Sequence, residues 1–276
     1  MLTLTMTSLL LAAMSGCGTN EAGASGNTPA GSTGDGFGEA GGFNPAVGAG
    51  AGPDVGSGGV DSCNPQLVGI VRDFQLYTTG GHPDFEHFMG GGLKGIVTKE
   101  LGADKKPVYA SAGPTEHTTG PKEFNQWYRD DSSVNKSFEF TIPLKVDDKG
   151  IGTYDNSNFF PIDDKGFGKE GQEHNFGFTF ELHMTFVYKG GEKFSFTGDD
   201  DLWVFVNNRL AIDLGGLHGA QSATLDLDAR ASELGIEAGK EYPLDFFQAE
   251  RHSTQSNFKI QSSLNFTNCD PIVIPK

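Results

Sequence analysis

Large apolar side chains occupy every second position along much of the chain. Ser137–Val146 and Phe178–Tyr188 show this pattern, with polar residues at most positions between the apolar ones. Successive side chains of a strand point to opposite faces of a sheet, so the pattern predicts half-buried strands with one face in water, as in antiparallel sheets. Further strands are predicted at Leu67–Leu76, Lys193–Thr197, Leu202–Val206, Leu210–Leu214, Ala223–Leu227, Tyr242–Phe247 and Asn257–Phe266.

Helical periodicity is rare and is confined to two short segments, Glu123–Arg129 and Ala229–Leu234. Many short strands separated by Gly, Asn and Asp turns argue against a parallel α/β core. The pattern therefore predicts an all-β fold with a few short helices, either a sandwich or a barrel.

The start of the chain has the pattern of an export signal. Leu2–Ala13 is apolar but too short to span a bilayer comfortably, and small residues precede Cys17. This pattern resembles a bacterial lipoprotein signal over residues 1–17, which implies lipidation of Cys17 and a secreted protein anchored at the bacterial outer membrane or cell surface. An ordinary cleaved signal peptide, with Cys17 incidental, is the alternative.

Residues 18–60 are predicted to be a flexible linker. Fifteen of these 43 residues are glycine and large apolar side chains are almost absent, so the segment cannot bury enough surface to offset the entropy cost of ordering. One folded domain, residues 61–270, and a short tail, residues 271–276, remain. Cys63 and Cys269 lie at the two edges of this domain, and in an exported protein such a pair is expected to form a disulfide.

The chain is strongly acidic, with 36 acidic residues against 20 basic ones and a formal net charge of -16. Nucleic acids and anionic membrane surfaces repel an acidic protein, so neither is an expected partner, and membrane contact is expected only through the lipid anchor. The charge favours cations and neutral ligands instead. Solubility alone would also account for it.

Three adjacent carboxylates, Asp199, Asp200 and Asp201, lie between two predicted strands. Such groups repel one another, and a bound hard cation relieves the repulsion. Calcium (Ca2+) suits the segment because it accepts roughly six to eight oxygen ligands in irregular geometry, whereas zinc prefers the His or Cys that the segment lacks. A solvated acidic turn is the alternative interpretation.

Seven short motifs follow one another in order between Leu67 and Phe266. They are His82–Glu86, Phe124–Tyr128, Phe159–Ile162, His174–Phe176, Gly198–Asn207, Asp213–Ala220 and Ala249–His252. Their order resembles the fibro-slime domain, which is related to the protective-antigen-type β-sandwich of flocculin-type adhesins. The resemblance implies a jelly-roll-like antiparallel β-sandwich in an extracellular protein of adhesion or matrix.

The same resemblance implies a calcium-dependent sugar site. In flocculin-type relatives, two consecutive aspartates joined by a cis peptide bond hold a calcium ion, and the ion and the aspartates together bind sugar hydroxyls. This places the pair at Asp199 and Asp200 and a further ligand to metal and sugar at Asn257, with Asp201 as an additional candidate metal ligand. Trp203 is a candidate for stacking on a sugar ring, with a position in the core as the alternative.

The remaining conspicuous residues are expected to be structural. Trp127 and Tyr128 are expected to pack in the core, and Asp84 is expected to belong to a turn. Arg251, which follows Glu250 beside an apolar strand, is expected to form an ion pair at the sheet edge because a buried charge needs a partner.

Three classes of function remain open. The favoured one is a cell-surface lectin-like adhesin domain that binds a glycan or polysaccharide with calcium. The alternatives are a structural matrix or adhesion module with a protein partner, and a glycoside hydrolase that uses paired carboxylates. We expect no enzyme activity, because the sequence contains no recognisable set of nucleophile, base and orienting residue.

Overall fold

The computed structural model describes residues 66–268, and within them twelve β-strands form two antiparallel sheets. The strands are β1 Gln66–Phe74, β2 Asn135–Pro143, β3 Lys145–Val146, β4 Gly152–Asn156, β5 Phe178–Tyr188, β6 Lys193–Gly198, β7 Asp201–Val206, β8 Arg209–Leu214, β9 Gln221–Asp226, β10 Lys240–Glu250, β11 Phe258–Ser262 and β12 Asn265–Asn268. The predictions that lie outside the described residues concern residues 1–17, 18–60 and 271–276 and the cysteines Cys17, Cys63 and Cys269.

The larger sheet has the order β2-β1-β5-β10-β7-β8, with β12 paired to β5, and the smaller sheet has the order β3-β4-β11-β6-β9. Every pairing between these strands is antiparallel. The predicted all-β, antiparallel fold is therefore confirmed. No helix among residues 66–268 is long and apolar enough to cross a membrane.

The element bounds follow the predicted pattern closely, with four differences. The strand β4 was not predicted, and the segment predicted as one strand at Asn257–Phe266 divides into β11 and β12, which join different sheets. Helix α1, Pro121–Phe124, ends where the next residues turn inward to bury Trp127. Helix α2, Leu227–Leu234, begins two residues before its predicted start because the carboxylate of Asp226 accepts a 3.2 Å hydrogen bond from the N–H of Ala229.

The main core lies between the two sheets and is rich in phenylalanine. Phe180 and Phe246 of the larger sheet meet Phe196 and Phe258 of the smaller one, with ring centroids 5.2–6.3 Å apart and mostly edge-to-face. Such geometry adds favourable quadrupole interactions to the burial of apolar area. The alternating apolar positions that the sequence showed are the positions that fill this core.

A second apolar layer covers the outer face of the larger sheet. The connection between β1 and β2, residues 75–134, brings Phe85, Phe124 and Trp127 against this face. Alternate residues of β7 consequently enter different cores, and all six residues of the strand are buried. The expectation of one wet face per strand is therefore wrong for β5, β7 and most of β10.

Burial of this outer face also buries a network of charged side chains. Glu181 of β5 accepts 2.6 and 2.8 Å hydrogen bonds from Lys106 Nζ, and its Oε1 lies 3.3 Å from Arg72 Nη2 and 3.8 Å from His183 Nε2. Burial alone would raise the pKa of Glu181, but the His183 ring and the two cations outweigh it and lower the pKa to about 2. Glu181 is thus the anchor that holds Lys106, and with it the 75–134 connection, on the sheet.

We predict that Glu181→Gln lowers the free energy of unfolding at pH 7 by about 3–5 kcal/mol, because it leaves the buried ammonium of Lys106 without its carboxylate. A carboxyl with a lowered folded-state pKa stabilises fully above its unfolded pKa of 4.5 and loses that contribution as the pH falls towards 2. The difference between variant and parent should therefore shrink on acidification below pH 4.5. Urea unfolding at pH 7, 5 and 3 measures it, and a difference that is independent of pH would contradict the assignment.

Breaking an exposed ion pair provides the control. Lys193 pairs with Asp226 at 2.9 Å, and both side chains are largely exposed. Lys193→Ala should change stability little at any of these pH values, because solvent and salt screen such a pair.

Candidate functional site

The three aspartates form the corner at which the chain passes from the smaller sheet to the larger one. Strand β6 ends at Gly198 and β7 begins at Asp201, so that Asp199 and Asp200 occupy the turn. A Cβ atom at Gly198 would lie 2.5 Å from the carbonyl oxygen of Asn257, and only glycine permits this close approach. The corner is thereby packed directly against the start of β11.

The peptide bond between Asp199 and Asp200 is trans, and residues 66–268 contain no cis peptide bond. This corrects the cis bond that the flocculin resemblance implies. Asp200 instead adopts the left-handed conformation, with φ 50. That conformation is uncommon for a residue other than glycine and is held here by the hydrogen bonds that its side chain accepts.

Asp200 ties two loops to the corner. Its Oδ1 accepts a 3.2 Å hydrogen bond from the N–H of His218, and its Oδ2 accepts bonds of 2.9 and 3.0 Å from the N–H groups of Arg251 and His252. Burial raises the pKa of this carboxyl to about 6, although the Arg251 charge and these N–H groups act in the opposite direction. Asp200 therefore holds the two loops through its hydrogen bonds, and its burial disfavours the ionised form of its carboxyl.

Asp201 is committed to Arg251. Its Oδ2 accepts a 2.7 Å hydrogen bond from Arg251 Nε and lies 2.6 Å from Nη2, while its Oδ1 accepts a 2.5 Å bond from the N–H of Gly216. Both Asp201 and Arg251 are fully buried. The predicted ion pair of Arg251 thus exists, and its partner is Asp201, whose two oxygens are taken up by Arg251 and by the N–H of Gly216.

Asp199 leaves one oxygen free. Its Oδ2 accepts bonds of 2.8 and 2.7 Å from the backbone and side-chain nitrogens of Asn257, whereas its Oδ1 is buried without a hydrogen-bond partner. Burial raises the pKa of Asp199, and the bonds from Asn257 oppose the shift. The predicted partners Asp199 and Asn257 do meet, with Asn257 orienting the carboxylate.

Glu250 is a site residue that the sequence prediction missed. It ends β10, is fully buried, and neither of its carboxylate oxygens has a hydrogen-bond partner; Ser256 Oγ is buried without a partner as well. Burial raises the pKa of Glu250 well above its ordinary value, and the charges of Asp200 and Asp199 raise it further, whereas the nearby Ser256 hydroxyl acts in the opposite direction. A charged residue at the end of a strand rich in apolar residues was the available signal, but the sequence does not show what it faces.

A cavity of about 250 Å³ opens beside the corner and is lined by both Asp199 and Asp200. Two loops form its walls, residues 217–219 and 252–255, and Met89 and Gly90 of the 75–134 connection complete it. The predicted aspartates therefore face a space that a ligand can enter. The contributions of Met89 and Gly90 were not predicted, because they come from a segment more than 100 residues away in the sequence.

Other sequence-predicted residues lie away from the cavity. Trp203 is fully buried against Phe124 and Trp127 and donates a 3.1 Å hydrogen bond to Asp213, so the structure corrects the expectation that it stacks on a sugar. Asp84 accepts bonds from Trp127 Nε1 and the N–H of Thr119, which agrees with a structural turn.

The donor set has the chemistry of a hard-cation site. The unpartnered Asp199 Oδ1, both oxygens of Glu250 and Ser256 Oγ are oxygen atoms, which calcium prefers. In the present conformation, however, no three His, Cys, Asp or Glu side chains of residues 66–268 form a group that could hold a metal ion. A calcium ion could therefore bind these oxygens only if the side chains of Asp199 and Glu250 moved closer together. Asp201 would remain paired with Arg251 and would not be a ligand.

The two antiparallel sheets define a β-sandwich module, and comparison with known proteins identifies its family. Residues 126–273 match the PA14 domain model, which is more than half of the chain. The chain belongs to the PA14 domain family. This agrees with the protective-antigen-type sandwich expected from the motifs, and the narrower fibro-slime resemblance stays a prediction.

Proteins of Dictyostelium discoideum are similar to this chain over most of its length. Protein psiQ is 38% identical over 207 residues, which cover 69% of this chain and 20% of psiQ, and protein psiD is 36% identical over 212 residues, which cover 72% and 40%. The chain thus spans between a fifth and two fifths of the length of these relatives.

Two solved structures are also similar. The PA14 domain of the antifreeze protein MpAFP has a TM-score of 0.32 and 11% identity, covering 78% of this chain and 86% of that domain. The PA14 sugar-binding domain of an RTX adhesin has a TM-score of 0.25 and 9% identity, covering 72% and 94%.

We predict that Asp201→Ala lowers the free energy of unfolding by about 3–5 kcal/mol, because it leaves the Arg251 guanidinium buried without a counter-ion. The loss should be the same in calcium and in chelator if Asp201 serves Arg251 and not a metal. Thermal unfolding in both buffers measures it. Asp155→Ala, which removes an exposed pair with Lys259, should have little effect, and a calcium-dependent loss in Asp201→Ala would return Asp201 to the metal site.

Proposed function

We propose that this protein is a cell-surface PA14 module that binds a glycan through a calcium ion held at the β6–β7 corner. The observation that carries the proposal is a set of buried oxygen atoms without hydrogen-bond partners, contributed by Asp199, Glu250 and Ser256, of which Asp199 also lines an open cavity. Buried polar groups are nearly always paired, and an unpaired cluster of this kind points to a missing ligand. A divalent cation supplies the positive charge that these oxygens lack.

Electrostatics support the same assignment. The pKa values of Asp199, Asp200 and Glu250 are all raised, with burial as the largest cause. At neutral pH the carboxylates therefore oppose folding in the absence of a cation, and a bound calcium ion would reverse the sign of that contribution. Calcium, when bound, offers coordination positions that vicinal sugar hydroxyls can take from water.

The residues around the cavity suit a polar, neutral ligand. Asp199 and Asp200 would accept hydrogen bonds from sugar hydroxyls, and Ser253, Thr254 and Gln255 add neutral polar groups to the rim. Asn257 orients the carboxylate of Asp199, and its side-chain oxygen would be a further ligand to the calcium ion. A glycan partner also agrees with the adhesin resemblance of the sequence motifs. The proposal further includes display from a lipid anchor at Cys17. It includes no catalytic activity.

We predict that calcium raises the melting temperature of the parent protein and that Glu250→Gln abolishes this rise. Calcium at a hundredfold excess over its Kd stabilises by about 2.7 kcal/mol, which corresponds to roughly 5–10 °C for a domain of this size. In chelator the variant should melt at or above the parent temperature, because it replaces an unpaired buried carboxyl with an isosteric amide. Differential scanning calorimetry with calcium and with chelator measures both effects.

The matched control is Glu139→Gln, an exposed glutamate of β2, which should keep the full calcium response. Asp200→Ala is a poorer probe, because it also removes three backbone hydrogen bonds and should melt lower even in chelator. A parent protein that melts at one temperature in both buffers would remove the metal from the proposal.

We further predict calcium-dependent retention of sugar by the full chain on a glycan array, lost in Asp199→Asn, which removes the charge but preserves the shape of the side chain. Loss of retention on chelation, with recovery on adding calcium back, is the expected result. A calcium-stabilised domain that retains no sugar would instead identify the matrix or protein-binding alternative.

A further inference from the structure

One wall of the cavity is a segment of the 75–134 connection that spans from one cavity loop to the other. At its start, the N–H of Glu86 donates a 2.7 Å hydrogen bond to the carbonyl of Arg251, and Glu86 Oε1 accepts a 2.5 Å bond from the N–H of Ser253. At its end, the N–H of Gly92 donates a 2.8 Å bond to the carbonyl of Leu217. The segment is therefore fixed at both ends beside the cavity.

Aromatic side chains continue from this wall onto the outer surface. The rings of Tyr77 and His87 stack with centroids 4.0 Å apart and an interplanar angle of 18°, and the Phe88 ring lies 4.4 Å from His87. We call these three residues the aromatic shelf. Met89, the next residue in the sequence, lines the cavity, so the chain leads directly from the shelf into the cavity wall.

The shelf is rigidly held and yet exposed. The N–H of Tyr77 donates a 2.8 Å hydrogen bond to the carbonyl of Phe85, and His87 Nδ1 lies 2.7 Å from the carbonyl oxygen of Pro83. Of the four large apolar side chains that are exposed within residues 66–268, two lie here: Tyr77 at 47% and Met89 at 78%. The stacking of Tyr77 on His87 accounts for the contact between the two rings. It does not account for two exposed apolar side chains close together in the sequence segment that reaches an acidic cavity.

Cavity size indicates what the shelf contacts. Pockets for small molecules usually measure about 300–1,000 Å³, so a cavity of about 250 Å³ accommodates only one end of a larger ligand. A polysaccharide chain that places one unit in the cavity must continue over a rim, and the C–H face of a pyranose ring packs well on an exposed aromatic face.

We propose that the aromatic shelf is a second sugar subsite, which stacks the unit next to the one held in the cavity. The inference rests on the proposed glycan-binding function and deepens it: the ligand class is an oligosaccharide or polysaccharide chain and not a terminal monosaccharide. Tyr77 and His87 select for chain length, while Asp199 and Asp200 hold the unit in the cavity.

The test compares Tyr77→Ala and His87→Ala with the parent full chain in calcium. Binding to an array of mannose, galactose, glucose and N-acetylglucosamine series, each from one to four units, supplies the probe, and competition with the free sugars supplies affinities. We expect a loss of roughly two- to tenfold for chains of two or more units, from the typical worth of one aromatic contact. Affinity for the single sugar should stay unchanged.

Two controls separate stacking from a general change in the surface. Tyr77→Phe keeps the ring and should bind as the parent does, whereas Val146→Ala, at an exposed apolar position of β3, should leave all affinities unchanged. Equal loss for one unit and for longer chains, or no loss for either, overturns the subsite and leaves the cavity site standing. A parent that binds no sugar of the array in calcium overturns the proposed function and the subsite together.

Discussion

The buried guanidinium of Arg251 is the interaction on which the architecture around the site depends. It pairs with Asp201 at the start of β7, and its Nη1 donates hydrogen bonds of 3.1 and 2.8 Å to the carbonyls of Asp84 and His117. Its Cζ lies 4.5 Å from the centre of the Trp127 ring. One side chain therefore joins the larger sheet to the connection that covers it, and its buried charge is tolerated because Asp201 supplies the opposite charge.

The pairing of Arg251 also divides the acidic cluster into two parts. Asp201 is neutralised by the guanidinium, whereas Asp199, Asp200 and Glu250 keep an excess of negative charge and several unpartnered oxygens. The three adjacent aspartates therefore differ in their surroundings: Asp201 pairs with Arg251, whereas Asp199 and Asp200 line the cavity and Asp200 also holds two loops at the corner.

The connection between β1 and β2 has a comparable double role. Its apolar residues bury the outer face of the larger sheet, and Lys106 anchors it there through Glu181. The same connection supplies Met89 and Gly90 to the cavity and Tyr77 and His87 to the aromatic shelf. The segment that covers the sheet also forms part of the cavity wall, so its stability and the shape of the cavity are coupled.

Strand positions, the antiparallel class and the place of the acidic corner were determined by the sequence alone, because alternation and turn residues are local properties of neighbouring positions. Motif order further placed Asn257 near Asp199, as the structure shows. Only the tertiary structure decided that Trp203 is buried on both faces, that Asp201 belongs to Arg251 and that Glu250 lies without a partner. Those outcomes depend on contacts between residues 50 or more positions apart. They also depend on the packing of the 75–134 connection on the larger sheet, which the alternation of apolar residues within a strand does not reveal.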